Sequence, residues 1–116
     1  MSKKILVVED EAITALDVKF QLEDNGFTVF VADNAKDAYD ICDKEDIELV
    51  VADINIKGDV DGIEMAEKIS QDDIKVVFLS ANPNNVKINL KNDDEPIYIK
   101  KPINISDFTK VINDIL

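Results

Sequence analysis

Leu49-Val50-Val51-Ala52 is a run of four apolar residues that stops on the acid Asp53. A continuous apolar run of this length reads as a strand buried on both faces. Working outward, the pattern recurs at Ile5-Leu6-Val7-Val8, Thr28-Val29-Phe30-Val31, Val76-Val77-Phe78-Leu79 and Ile97-Tyr98-Ile99. Stretches of helical length lie between these runs. Ile13, Leu16 and Phe20 fall at i, i+3, i+7 and predict the buried stripe of a first helix, with Gly26 as its stop. Asn34 precedes a second, with Ala35, Ala38 and Cys42 on one face, and Ile63, Ala66 and Ile69 mark a third. A weaker fourth is expected around residues 84–91, where Val86, Ile88 and Leu90 alternate among asparagines and lysines. Phe108, Val111, Ile112 and Ile115 mark a fifth, capped by Asn104 or Ser106. The alternation is (βα)₅. It predicts a doubly wound, flavodoxin-like α/β fold whose five-stranded parallel sheet has the order 2-1-3-4-5. Residues 1–116 are read as one domain.

Composition narrows the chemistry. The chain has 25 acids against 13 bases, a net charge of −12. Every base is lysine, and histidine is absent. Such a surface repels nucleic acid and anionic lipid. Without histidine the chain cannot build a Ser-His-Asp device or a His-ligated zinc site. A nucleophile or metal ligand here is chiefly a carboxylate. One cysteine, Cys42, permits no internal disulfide, and its place on the second helix's stripe makes it a core residue. No apolar run approaches the ~18–20 residues of a membrane span. Lys3 and Lys4 precede only four apolar residues and then acids, too short for a secretory signal. A cytoplasmic address without membrane insertion is expected.

In open parallel sheets, ligands bind beyond the carboxyl ends of the strands. Strand one is followed by Glu9, Asp10 and Glu11, strand three by Asp53 and then Asn55, strand four by Ser80 and Ala81, and strand five by Lys100, Lys101 and Pro102. A lone acid after a strand is usually a helix cap or a solvated turn. Three acids at neighbouring strand ends are harder to dismiss, because carboxylates ~5 Å apart repel by roughly 3 kcal/mol per pair at an effective dielectric of 20. A cation, a lysine or shifted protonation must offset that repulsion. An all-oxygen site suits Mg²⁺ or Mn²⁺. With the Ser80 hydroxyl and a lysine, the set reads as a phosphoryl-transfer site whose nucleophile is a carboxylate.

Val7-Val8-Glu9-Asp10, Val50 to Asn55, Phe78-Leu79-Ser80-Ala81 and Tyr98 to Pro102, in this order, resemble the receiver domain of two-component response regulators over essentially the whole chain. The resemblance implies that Asp53 accepts a phosphoryl group from the phosphohistidine of a histidine kinase or phosphotransfer protein. It implies Mg²⁺ held by Asp10 directly, by Glu9 through water, and by Asp53 and the main-chain carbonyl of Asn55. Ser80 and the Ala81 amide would meet the phosphoryl group, beside Asn55. Lys101 would pair with its oxygens from a cis Lys101–Pro102 bond, and Tyr98 would follow Ser80 as the switching aromatic. Output would pass to a downstream protein or a fused domain. Such a module catalyses only its own phosphorylation and dephosphorylation.

The chain departs from the family's usual pattern in three places. Glu9 stands where aspartate is frequent. The segment from Ile54 to Gly62 is one residue longer and lacks a proline, similar to receivers at the front of sensor histidine kinases. Asp93-Asp94-Glu95-Pro96 replaces a run of small residues before the last strand. An aspartyl phosphatase of the haloacid-dehalogenase type places a second acid two residues after its nucleophile, where this chain has Asn55. An FMN binder wants a hydroxyl- and glycine-rich loop where this chain has Glu9-Asp10-Glu11. A receiver that is never phosphorylated and only binds partners would not need the full set of acids, hydroxyl and lysine.

Overall fold

The β-branched runs become the strands of one sheet. The computed structural model describes residues 3–53, 62–71, 74–80, 97–100 and 105–115. Its elements are β1 (Lys4–Val8), α1 (Ala12–Asp24), β2 (Thr28–Ala32), α2 (Ala35–Lys44), β3 (Leu49–Asp53), α3 (Gly62–Ser70), β4 (Lys75–Ser80), β5 (Ile97–Lys100) and α4 (Ile105–Ile115). The strand order is β2-β1-β3-β4-β5, with every neighbouring pair parallel. The helix expected around residues 84–91 lies outside the described residues.

Alternation along the central strands sends side chains to two faces. Leu6, Val8, Val50, Ala52 and Phe78 pack with residues of α2 and α3. Ile5, Val7, Leu49, Val51 and Leu79 pack with Val18 and Leu22 of α1 and with Phe108 and Ile112 of α4. Full burial of a Val, Leu, Ile or Phe side chain is worth about 1.5–3 kcal/mol, so β1, β3 and β4 anchor the domain. They carry to their carboxyl ends the residues that matter chemically.

Local signals fix the helix ends. The Asp37 N–H donates to Asn34 Oδ1 at 2.9 Å, so Asn34 caps α2. Gly26 has φ +90°, and the N–H groups of Gly26 and Phe27 donate to the carbonyls of Glu23 and Leu22. This is a Schellman ending, which favours glycine at that position. Lys68 Nζ sits 4.4 Å from the centre of the Tyr39 ring and ties α3 to α2.

Three expectations are corrected. The α1 stripe Ile13, Leu16 and Phe20 does not face the core: these residues are 85%, 47% and 57% exposed, and Ala15, Val18 and Leu22 are buried instead. The helix approaches the sheet through its smaller residues. Strands β2 and β5 are not buried on both faces, because they are the two edges of the sheet, with Thr28 and Val31 exposed on one and Ile97 on the other. Ser106 lies inside α4, so it is not the cap; Asn104, just before the helix, is outside the described residues.

Candidate functional site

Val8 and Ala52 are register partners on adjacent strands, so the residues that follow them leave the sheet at one level. The Glu9 N–H donates to the Ala32 carbonyl at 3.0 Å, which extends the β1–β2 ladder by one residue. Glu9 is 1% exposed and Asp53 is 6% exposed. Carboxylate oxygens of Glu9, Asp10 and Asp53 all lie within 4.8 Å of one another. The three acids that sequence places at separate strand ends therefore converge, two of them buried. Burying carboxylates together is costly unless a positive charge or hydrogen bonds offset it.

Some of that compensation is built in. The Glu11 N–H donates to Glu9 Oε1 at 3.2 Å. Glu11 is the N-cap residue of α1, and its carbonyl accepts the Ala15 N–H at 2.9 Å. The Thr14 hydroxyl donates to Glu11 Oε2 at 3.2 Å. The acidic cluster is thereby joined to the first turn of α1. The donor set is all carboxylate oxygen, converged and partly buried, and it fits a hard divalent cation.

The remaining candidates are placed unequally. Ser80 ends β4, one residue beyond Leu79, the register partner of Asp53. Tyr98 lies on β5 opposite Phe78, their ring centroids 5.7 Å apart and tilted by 34°. Burial raises the Tyr98 phenol above its ordinary pKa. The Ser80 hydroxyl, Asn55, Ala81, Lys101 and Pro102 lie outside what the structure describes. One feature escaped sequence reasoning. The outer face of α1 carries exposed Ile13 in the turn next to the acids, followed by Leu16 and Phe20. The i, i+3, i+7 signal is visible in the sequence, but its stripe lies on the solvent side of the helix.

Comparison with known proteins agrees with the geometry. The profile of the response regulator receiver domain matches residues 5–113. The chain belongs to the response-regulator receiver family. It is 34% identical to the aerobic respiration control protein ArcA of Escherichia coli K12, over 90% of this chain and 44% of that one. It is 31% identical to the transcriptional regulatory protein CrdR of Helicobacter pylori, over 92% of this chain and 52% of that one. This receiver thus spans about half the length of these curated relatives. Among solved structures it is similar to the response regulator PhyR from Brucella abortus, with a TM-score of 0.85 at 28% identity, covering all of this chain and 48% of that one. A CheY-like receiver domain from Methylobacillus flagellatus covers both chains completely with a TM-score of 0.85; at 22% identity it speaks to the fold alone.

Proposed function

We propose that residues 1–116 form one receiver domain that acts as a cytoplasmic phosphoacceptor switch, with Asp53 as the acceptor. The observation that carries this reading is the convergence of Glu9, Asp10 and Asp53 at the carboxyl ends of neighbouring strands in a chain of this family. A carboxylate oxygen of Asp53 attacks the phosphorus of a phosphohistidine. The O–P bond forms as the N–P bond to the donor imidazole breaks, and that nitrogen takes a proton. Residues 1–116 hold no histidine, so the donor imidazole comes from another chain or from a domain outside them, and we take it to be that of a histidine kinase or phosphotransfer protein. No external metabolite is consumed.

Glu9, Asp10, Asp53 and the Asn55 carbonyl would hold Mg²⁺ or Mn²⁺. When bound, the cation neutralises charge between these acids and the phosphoryl oxygens. Asp10 contributes directly and Glu9 through water. Asn55, Ser80, the Ala81 amide and Lys101 receive the phosphoryl group, and Tyr98 responds to Ser80. Lys101 would pair with the phosphoryl oxygens.

The donor protein docks over the first turns of α1. It must bring its imidazole to the strand ends, and Ile13 stands exposed beside them, with Leu16 and Phe20 continuing the strip. A net charge of −12 favours a donor with basic flanks around its apolar contact. Output passes to a downstream protein or a fused domain, with no direct contact to nucleic acid. Beryllofluoride, a mimic of the acyl phosphate, tests this reading. With Mg²⁺, one equivalent should bind the wild type and none should bind Asp53→Ala. Equal binding to both would overturn it.

A further inference from the structure

The Glu9 carboxylate is engaged in two directions. It is a member of the acidic cluster with Asp10 and Asp53. Its Oε1 also accepts the N–H of Glu11, the residue on which α1 starts. The backbone of Glu9 is held by the bond from its N–H to the Ala32 carbonyl, and the residue is almost fully buried. The side chain is thus fixed at its root and spans from the cluster to the helix start. The Glu11 side chain caps no backbone N–H of α1; it accepts from the Thr14 hydroxyl instead. Glu9 thus ties the N-cap end of the first turn to the sheet end, beside the packing of the buried Ala15.

We propose that Glu9 is a positioning residue that couples cation occupancy of the acidic cluster to the first turn of α1. This rests on the reading above that the cluster takes a divalent cation. A charge-assisted hydrogen bond depends on the negative charge of its acceptor. A nearby divalent cation draws that charge toward itself, so the bond from the Glu11 N–H weakens as the site fills. The turn that loosens carries Ile13, exposed at the edge of the site. Coupling of this kind is reciprocal: a protein that rests on Ile13 and fixes the turn changes cation affinity by the same factor as the cation changes its own. In this scheme Glu9, besides its contact to the cation through water, carries the effect of binding to α1.

Amide NMR on the full chain tests this, with Mg²⁺ titrated into the wild type and into the near-isosteric Glu9→Gln. In the wild type, the Asp53 amide and the Glu11, Ala12 and Ile13 amides should move with one midpoint. The Glu11 amide proton should shift upfield and exchange faster with solvent. In Glu9→Gln, which loses one water-mediated contact to the cation, the Asp53 amide should still respond at saturating Mg²⁺ with a raised midpoint, while the response of the Glu11–Ile13 amides is largely lost. An undiminished α1 response in Glu9→Gln would overturn the proposal. So would loss of the Asp53 response in that variant, which would make Glu9 an indispensable ligand. Should Glu9→Gln not fold, the wild type still decides: α1 amides that stay put while Asp53 moves overturn the coupling. A wild type whose Asp53 amide ignores Mg²⁺ overturns the cation reading itself.

Discussion

The carboxylates of Glu9 and Asp53 come within 4.8 Å of each other although the two residues leave different strands. The parallel register that pairs Val8 with Ala52 brings them together. At an effective dielectric of 20, two unit charges no farther apart than this repel by about 3.5 kcal/mol or more. Asp10, partly exposed, adds a smaller repulsion that solvent screens. Asp10→Asn should therefore raise the stability of the metal-free protein, by about 1 kcal/mol in urea unfolding with a chelator present. Mg²⁺ at ten times its Kd should stabilise the wild type by about 1.4 kcal/mol and Asp10→Asn by much less. An equal gain in both proteins would remove Asp10 from the site.

The two faces of α1 should separate stability from recognition. Leu22 is fully buried, and Leu22→Ala should cost about 2–5 kcal/mol. Leu16→Ser and Phe20→Ser alter only exposed positions and should change unfolding free energy by no more than about 0.5 kcal/mol. The same serine variants should slow phosphotransfer from a cognate donor protein while leaving uptake from acetyl phosphate unchanged. A large loss of stability in Phe20→Ser would return that face to the core.

This helix also shows where sequence stops being a guide. Periodicity located α1 and Gly26 located its end, yet the stripe chosen was the more apolar one. Ile13, Leu16 and Phe20 outweigh Ala15 and Val18 in hydrophobicity, but a helix lying close on a sheet favours small contacts such as Ala15. A second apolar face is ambiguous until packing resolves it. The strands were easier, since runs such as Leu49 to Ala52 have to be buried on both sides. Edge strand β2 was overread because its position in the sheet, not its composition, exposes Val31. The acids of the site were legible from their places after strands one and three. The Lys68–Tyr39 contact joins residues far apart in sequence, and no local pattern announces it.

Two tyrosines set a high-pH limit. Burial, reinforced by the Glu64 carboxylate, raises the Tyr39 phenol, and burial raises that of Tyr98. The unfolded chain therefore loses these protons first, near the ordinary value of about 10. Between that pH and the raised folded values the native state binds more protons than the unfolded one, so stability falls as pH rises. Below that window the two groups contribute no pH dependence. Tyr39→Phe and Tyr98→Phe should each flatten the fall measured by urea unfolding above pH 10. An unchanged slope in both variants would contradict the assignment.

The adjacent lysines Lys100 and Lys101 should behave differently. Successive residues at a strand end point in opposite directions, so only one is expected to reach the phosphoryl group. Lys101→Ala should take up phosphate slowly but fail to switch. It would lose a charge-assisted bond of about 1.5–3 kcal/mol that exists only once phosphate is present. Lys100→Ala should behave nearly as wild type. The Tyr98 ring resonances, close to Phe78, report the switch on adding beryllofluoride. A normal response in Lys101→Ala and none in Lys100→Ala would reverse the two roles.

The identity of the nucleophile is tested most directly by phosphorylating the protein with acetyl phosphate and Mg²⁺ and mapping the modified residue by mass spectrometry. The adduct should be acid-stable, base-labile and confined to Asp53, and it should vanish both in Asp53→Ala and when the cation is chelated. A phosphoryl group on Ser80, or full labelling of Asp53→Ala, would contradict the assignment of Asp53 as the acceptor.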